Sequence, residues 1–103
     1  MKFEEKVWKI METIPKGKVT TYGLIAKKLK TKAYRAVGNA CRNNPYAPRV
    51  PCHRVVKSDG AIGGFGGKTS GRTVNEKVRL LTKENVEVKN GMIVNFEKVL
   101  FVV

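Results

Sequence analysis

The residues best suited to chemistry are two neighbours, Cys52 and His53, in the segment Pro51-Cys52-His53-Arg54. A thiolate is a strong nucleophile, and imidazole is the side chain that most readily exchanges a proton near neutral pH. Arg49 and Arg54 lie close in sequence, and positive charge favours the thiolate by lowering the pKa of a thiol. Cys52 is therefore a candidate nucleophile. The residues alone leave open the alternative of a buried strand cysteine beside a surface histidine.

Other kinds of site have less support. Cys41 falls on the apolar stripe of a predicted helix, which favours a small core residue. His53 is the only histidine and no Cys-x-x-Cys pair occurs, so we expect no metal and no cofactor. The segment from Gly66 to Thr69 resembles the end of a nucleotide-triphosphate loop, but Ile62 stands where the first glycine of that motif is needed.

The charge of the chain predicts a polyanionic partner. Lys and Arg number 21 against 8 Asp and Glu, a formal net charge of +13. No acidic residue occurs between Glu12 and Asp59. That stretch holds the basic residues Lys16, Lys18, Lys27, Lys28, Lys30, Lys32, Arg35, Arg42, Arg49, Arg54 and Lys57. A coat of solvated lysines is the alternative, but such coats usually interleave Glu with Lys. Nucleic acid is the preferred interpretation.

Length and composition favour one small globular domain. At 103 residues and 42% hydrophobic content, the chain can bury a core, and it has no apolar run of the roughly 20 residues that span a membrane. Residues 1–6 are amphipathic rather than apolar, so we expect no secretory signal, a cytoplasmic location and no contact with membranes. We expect two free thiols, because two cysteines are too few for a disulfide framework.

Apolar spacing predicts three helices in the first half of the chain, over residues 3–14, 22–30 and 33–43. Pro15 ends the first helix, and Thr20 or Thr21 can cap the second. The second and third helices are short and joined tightly, which is typical of a helix-turn-helix.

The second half mixes loops with short elements. The predicted elements are an extended loop over residues 44–51, a strand over 52–57, a turn over 58–60, a glycine-rich loop over 60–71, a helix over 74–84 and a hairpin over 86–94. Adjacent strand residues point to opposite faces, so on such a strand His53 reaches the Cys52 thiol only through a turn or a bridging water.

The segment Pro51-Cys52-His53-Arg54-Val55 resembles the active-site signature of the 6-O-alkylguanine-DNA alkyltransferases. Further segments resemble the catalytic C-terminal domain of that family in the same order: Val7-Trp8, Gly17 to Tyr22, Arg35 to Gly38, Asn44-Pro45, Gly60 to Gly63, and Lys77 to Glu84. The resemblance covers roughly residues 7 to 86. It implies a mainly α fold with short β elements, a winged helix-turn-helix-like alkyltransferase catalytic domain. It further implies that residues 1–103 form a single catalytic and DNA-binding domain, without the family's usual N-terminal domain.

The resemblance implies a role for each catalytic residue. Cys52 takes an alkyl group from the 6-oxygen of guanine and keeps it, so each molecule acts once. His53 serves as its base through a water, and Glu84 orients His53. Asn44 supports the active-site turn. For substrate binding, the resemblance implies a donor hydroxyl on Tyr22.

The family's other contacts to the base come from the backbone. The resemblance assigns the Gly66 amide to the 6-oxygen of guanine, and the Cys52 and Val55 carbonyls to its exocyclic amine. No cofactor is implied.

The partner implied is double-stranded DNA, bound by a monomer in the minor groove with the alkylguanine flipped out. Arg35 resembles the family's finger, which fills the gap in the base stack. The small residues behind it allow close approach to the groove, whereas a helix-turn-helix pattern alone favours the major groove. The DNA-binding residues are then Arg35, Ala36, Gly38, Asn39 and Ser58.

Two other functions remain open. Alkyltransferase-like sensors bind alkylated DNA without transfer, and they usually have tryptophan where Cys52 stands. A transcriptional regulator would use the helix-turn-helix alone and prefer an undamaged sequence.

Overall fold

Helices are the main secondary structure of the chain, and its strands are short. A computed structural model describes residues 1–47, 49–63 and 72–103. Its elements are α1 (Phe3–Met11), β1 (Thr20–Thr21), α2 (Tyr22–Lys28), α3 (Tyr34–Arg42), a 3₁₀ turn (Cys52–Arg54), β2 (Val55–Val56), α4 (Arg72–Lys83), β3 (Val88–Lys89), β4 (Met92–Ile93) and α5 (Phe96–Val99). None of the helices in the described ranges has the length and apolar content to cross a membrane.

Local capping explains where the first two helices begin. The Glu5 carboxylate accepts a hydrogen bond from the Lys2 amide at 3.1 Å, before the first turn of α1. The Thr21 hydroxyl accepts one from the Leu24 amide at 3.0 Å, which caps α2. Beyond α2, Lys30 adopts a left-handed conformation with φ 56°, which ends the helix. The three helices predicted in the first half of the chain are confirmed, and each is shorter than the sequence pattern indicated.

α2 packs against α3, and α3 packs against α1. The α1–α3 contact is tied by the Trp8 indole, whose Nε1 donates to the Ala40 carbonyl at 2.7 Å. Two short helices packed across a tight joint form the helix-turn-helix-like unit that the sequence predicted, in a mainly α fold with short strands.

Short strand pairings connect distant parts of the chain. β1 and β2 are parallel, with Thr20 opposite Val55 and Thr21 opposite Val56. On the preceding residue, the Val19 amide donates to the Val99 carbonyl at 2.9 Å, and the Phe101 amide donates to the Val19 carbonyl at 2.7 Å. The segment 19–21 therefore pairs with residues 55–56 and with residues 99–101.

The predicted strand over residues 52–57 is wrong at its start. Cys52–Arg54 forms one turn of 3₁₀ helix, and only Val55–Val56 is strand. The Val55 amide donates to the Cys52 carbonyl to close that turn. Since strand alternation does not apply to a 3₁₀ turn, Cys52 and His53 are not forced to opposite faces.

The loop before this turn is not extended as predicted. The Val50 amide donates to the Tyr46 carbonyl at 3.0 Å, so the chain doubles back between these residues. The side chain of Asn44 closes the same loop by donating to the Val50 carbonyl at 2.7 Å. The hydrogen bond from the Asn44 side chain thus outweighs the preference of the prolines for an extended backbone.

Two clusters of buried side chains make up the core. The first lies among α1, α2, α3 and the 3₁₀ turn and includes Cys52, while the second gathers Val19, Val56 and Leu81 with apolar residues of the C-terminal hairpin. The hairpin formed by β3 and β4 is confirmed, with Asn90 and Gly91 both at positive φ. Val55 belongs to the first cluster and Val56 to the second, so strand β2 joins the two clusters.

Candidate active site

His53 is held by a carboxylate that is itself held by an arginine. The His53 Nε2 atom lies 3.0 Å from Glu84 Oε2. Arg54 grips the same carboxylate with two bonds, Nε to Oε1 at 2.9 Å and Nη2 to Oε2 at 2.7 Å. A third bond runs from Arg54 Nη1 to the Ile14 carbonyl at 2.8 Å, just past α1. Such a bidentate pair fixes the plane of the carboxylate, so Glu84 presents a fixed acceptor to the imidazole.

The two nitrogens of His53 have different surroundings. Burial opposes ionisation of Glu84, but the bonds from Arg54 and His53 outweigh it and lower the pKa of the carboxyl, so Glu84 is ionised and accepts a hydrogen bond from the Nε2–H group. In a neutral imidazole the other nitrogen, Nδ1, is then the basic one. Among the described residues Nδ1 is buried and has no hydrogen-bond partner. The free lone pair of His53 is thus available to take a proton inside the protein.

Burial controls the protonation of both candidate groups. It raises the pKa of the Cys52 thiol, while a bond with Asn44 and the charge of Lys77 lower it in part. The expectation that positive surroundings enrich the thiolate is therefore wrong, because loss of solvation outweighs the nearby cations. Burial also lowers the pKa of His53, against the opposing effect of Glu84. At neutral pH, the Cys52 thiol and the His53 imidazole are therefore both uncharged.

His53 is expected to titrate below pH 6.5, its ordinary value, because burial disfavours the imidazolium. The folded form then binds fewer protons than the unfolded chain just below pH 6.5, so the free energy of unfolding falls as the pH drops through that range. His53 is the only histidine, so a single pair of imidazole resonances in an NMR titration reports it. A midpoint above 6.5 would contradict this assignment.

Two hydrogen bonds to the Val50 carbonyl hold the segment that leads into the Cys52 turn. The Asn44 side chain donates to the Val50 carbonyl, and the Cys52 amide donates to the same carbonyl at 2.9 Å. Cys52 is 8% exposed, against 2% for His53. The nucleophile candidate is therefore largely buried and held on a rigid turn at the edge of the first core cluster.

Tyr22, the first residue of α2, connects this cluster to a cavity of about 530 Å³. Tyr22 packs against the cluster that includes Cys52, and it borders the cavity together with Ile62, Gly63, Val74 and other residues. The volume lies in the range of small-molecule sites. Burial is the largest cause of the raised pKa of Tyr22, so its hydroxyl stays protonated and can donate a hydrogen bond.

Lys77 is a buried residue that the sequence pattern did not single out. Its ammonium is 0% exposed and donates to the Val55 carbonyl at 2.9 Å and to the Ile62 carbonyl. Burial lowers its pKa to about 8. Val74, Val78 and Leu81 share its stripe on α4, so a lysine at a core position was the available signal. Lys77 joins the strand after the 3₁₀ turn to the wall of the cavity.

The backbone acceptors assigned by resemblance already carry donors. The Val55 carbonyl accepts from Lys77, and the Cys52 carbonyl accepts from the Val55 amide. A carbonyl oxygen has two lone pairs, so each retains one for a ligand. Gly66 lies outside the described residues.

The outer face of α3 carries most of the remaining predicted residues. Arg35 and Asn39 are exposed, while Ala36 and Gly38 flank them half-buried. Ser58 lies elsewhere, in the exposed turn after β2, where a Cβ on Gly23 would approach its Oγ to 3.2 Å. The glycine at position 23 therefore lets Ser58 pack beside the start of α2.

Comparisons with known sequences agree on one family. The model described as "6-O-methylguanine DNA methyltransferase, DNA binding domain" matches residues 2–86. A methylated-DNA–protein-cysteine methyltransferase of Methanosarcina mazei is 43% identical over 86 residues, which are 82% of this chain and 52% of that protein. A relative of the same name from Mycobacterium leprae is 41% identical over 91 residues. The chain spans about half the length of these relatives.

Solved structures give a second view. S. pombe Atl1, in complex with damaged DNA containing O6-carboxymethylguanine, superposes with a TM-score of 0.82 at 30% identity and covers 96% of this chain and 94% of Atl1. Mycobacterium tuberculosis OGT in complex with DNA superposes with a TM-score of 0.66 at 40% identity, over 82% of this chain and 50% of that one.

Proposed function

This chain belongs to the 6-O-methylguanine DNA methyltransferase family, and on that premise we propose that it repairs DNA by moving an alkyl group from the 6-oxygen of guanine to Cys52. Under this proposal, the chain carries the family's catalytic residues together with its DNA-binding domain. The observation that supports transfer most directly is the buried His53, which is paired to Glu84 through Nε2 and has a free Nδ1, next in sequence to a cysteine.

The proton of Cys52 leaves before or during attack. A neutral thiol is a weak nucleophile, so the proton passes to Nδ1 of His53, through a bridging water. The imidazolium that forms is stabilised by the ionised Glu84, which Arg54 holds in place. This relay generates the thiolate only where a base is ready to take the proton, which suits a thiol whose pKa burial has raised.

The transfer itself is an in-line displacement. A bond forms between Cys52 Sγ and the alkyl carbon while the bond from that carbon to the guanine 6-oxygen breaks, and its electron pair passes to the guanine. The guanine then takes up a proton from solvent as His53 releases its own, while the Tyr22 hydroxyl donates a hydrogen bond to a ring nitrogen and keeps its proton. Over the whole reaction, the proton lost by the thiol balances the one that guanine gains. The thioether is stable, so each molecule reacts once.

The DNA contacts in this proposal follow from charge and shape. Exposed lysines and arginines in the stretch without acidic residues neutralise phosphates, so binding weakens steeply with salt. α3 enters the minor groove, where Ala36 and Gly38 allow close approach. Arg35 fills the gap that the flipped guanine leaves, at a cost of a few kcal/mol of unstacking. The protein acts as a monomer.

Arg35→Ala is expected to slow the reaction on duplex DNA about 100-fold and to leave the reaction with free O6-methylguanine unchanged. The reason is that Arg35 compensates for unstacking, which a free base does not require. The rates are measured as loss of active protein on each substrate. Arg42→Ala, on the same outer face of α3, is the matched control and should weaken DNA binding without this difference. Equal losses of rate on both substrates would contradict the proposal that Arg35 fills the gap in the base stack.

Intact mass spectrometry tests the proposed function. The protein is incubated with a duplex containing one O6-methylguanine, and we expect a gain of one methyl group on the peptide that contains Cys52. The same duplex with unmodified guanine is the control. An unchanged mass after prolonged incubation at excess lesion would end the transferase proposal.

A second candidate is a sensor that binds alkylated DNA without transfer. It is favoured by the higher TM-score of the match to Atl1, 0.82, against 0.66 for the Mycobacterium tuberculosis OGT in complex with DNA. Cys52 favours transfer, since a thiol supplies the acceptor that a sensor does not need. Tight binding of the lesion duplex with no gain of mass would select the sensor.

A further inference from the structure

Tyr34 is the first residue of α3 and belongs to neither core cluster. Its side chain is 56% exposed, and its amide donates to the Lys32 carbonyl at 2.8 Å where the helix begins. The four residues from Lys32 to Arg35 are all exposed. A large aromatic ring gains free energy when it leaves water, and this fold leaves more than half of Tyr34 in solvent.

Helical geometry locates the ring relative to Arg35. Successive helix residues are about 100° apart, so Tyr34 lies to one side of the outward stripe that holds Arg35 and Asn39, on the same side as Gly38. Apart from the neighbouring residues and backbone of its own helix, no atom of the described residues lies within 4 Å of the point where a Cβ on Gly38 would stand. Helical side chains also lean toward the N-terminus. The flank beside Tyr34 is therefore uncovered, and the ring projects past the start of the helix.

The chemistry around Tyr34 indicates the class of surface that it meets. Lys30, Lys32 and Arg35 surround it in sequence, within the long stretch that has no acidic residue. An uncharged apolar protein surface would match the ring but would gain nothing from so much positive charge. A polyanion that also offers flat apolar faces matches both properties, and nucleic-acid bases are such faces once a duplex is opened.

We propose that Tyr34 stacks on the base step next to the gap that Arg35 fills, and so stabilises the duplex with its guanine extruded. This inference rests on the proposed function. It gives α3 two inserted side chains with different tasks: the guanidinium occupies the vacated position, and the phenol ring covers the adjoining base that loses a stacking neighbour. Base–aromatic stacking is worth enough to change binding about tenfold.

The test measures binding in the Cys52→Ser background, so that transfer does not deplete the complex. Tyr34→Ala and Tyr34→Phe are titrated against a duplex with one O6-methylguanine and against duplexes that also carry an abasic site on one side or the other of the lesion. Val102→Ala, a change at a 70% exposed apolar residue in the C-terminal segment, is the control. Thermal unfolding is recorded for each protein, and we expect no change because Tyr34 is exposed.

On the intact lesion duplex, Tyr34→Ala should bind about tenfold more weakly, and Tyr34→Phe should bind like its parent. On one of the two abasic duplexes the difference between Tyr34 and alanine should disappear, which isolates the ring–base contact as in a double-mutant cycle. An unchanged affinity of Tyr34→Ala overturns the inference, as does an equal loss for Tyr34→Phe or an equal loss on both abasic duplexes. These outcomes do not depend on whether the unsubstituted protein gains mass, which tests the transferase proposal separately.

Discussion

Cys52→Ser is expected to abolish alkyl transfer while leaving lesion binding close to that of the parent. Serine preserves the size and the hydrogen-bonding capacity of the side chain, but an alcohol with an ordinary pKa far above that of a thiol does not form a nucleophilic anion beside a neutral imidazole. The loss should exceed the detection range of a mass assay, and it is the largest effect expected of any single change. The measurement is intact mass after incubation with the O6-methylguanine duplex, together with a binding titration.

Cys41 provides a matched control for this experiment. It is also a buried thiol, with its Sγ atom 3.7 Å from the sulfur of Met11, and burial raises its pKa to about 12. Cys41→Ala should retain transfer, because burial keeps that thiol protonated and its Sγ atom contacts the Met11 sulfur. If Cys41→Ala lost the methyl acceptor and Cys52→Ser kept it, the nucleophile would be assigned to the wrong cysteine.

Glu84→Gln should slow transfer about 100-fold with little change in the affinity for DNA. Glutamine keeps an oxygen that can accept from His53 or Arg54, but it carries no charge to stabilise the imidazolium. Loss of the carboxylate also lowers the pKa of His53 further, because Glu84 opposes the effect of burial. The acid limb of the pH–rate profile should therefore move to lower pH as the maximum rate falls.

Two additional measurements separate this role from simple loss of structure. Glu87→Gln makes the same chemical change at an exposed position three residues away and should react like the parent. The temperature of thermal unfolding should fall for Glu84→Gln, because Arg54 loses a charged partner in a site where both side chains are mostly buried. A variant that unfolds earlier but transfers at the parental rate and pH dependence would show that Glu84 supports the fold alone.

The first three helices could be predicted from the sequence because each has an apolar stripe, and Thr21 also marks the start of α2. The turn at Cys52–Arg54 could not, since Val55 and Val56 extend a strand-like pattern toward Cys52 and the backbone bond from Val55 to Cys52 has no sequence signature. The conformation of the turn that contains Cys52 thus depends on its packing against α4, which begins about twenty residues after Cys52.

The pairing of His53 with Glu84 spans 31 residues, and only the family resemblance suggested it. The part played by Arg54 was missed, because an arginine beside a cysteine was interpreted as a charge that acts on the thiol. In the structure its guanidinium is directed to Glu84 instead. Counting charges along the sequence also gave the wrong direction for the pKa of Cys52, since desolvation depends on burial and no sequence pattern gives its size.

The strand pairing of residues 19–21 with residues 55–56 and 99–101 has a consequence for biosynthesis. β1 pairs with the strand that follows the 3₁₀ turn, and Val19, the residue just before β1, bonds to Val99 and Phe101 near the end of this sequence. Contacts this far apart in sequence form late. On a ribosome, residue 101 must emerge before the sheet is complete, so a nascent chain holds Cys52 in an unfinished setting. Under the proposed function, the ability to accept an alkyl group would then arise after elongation has passed that point.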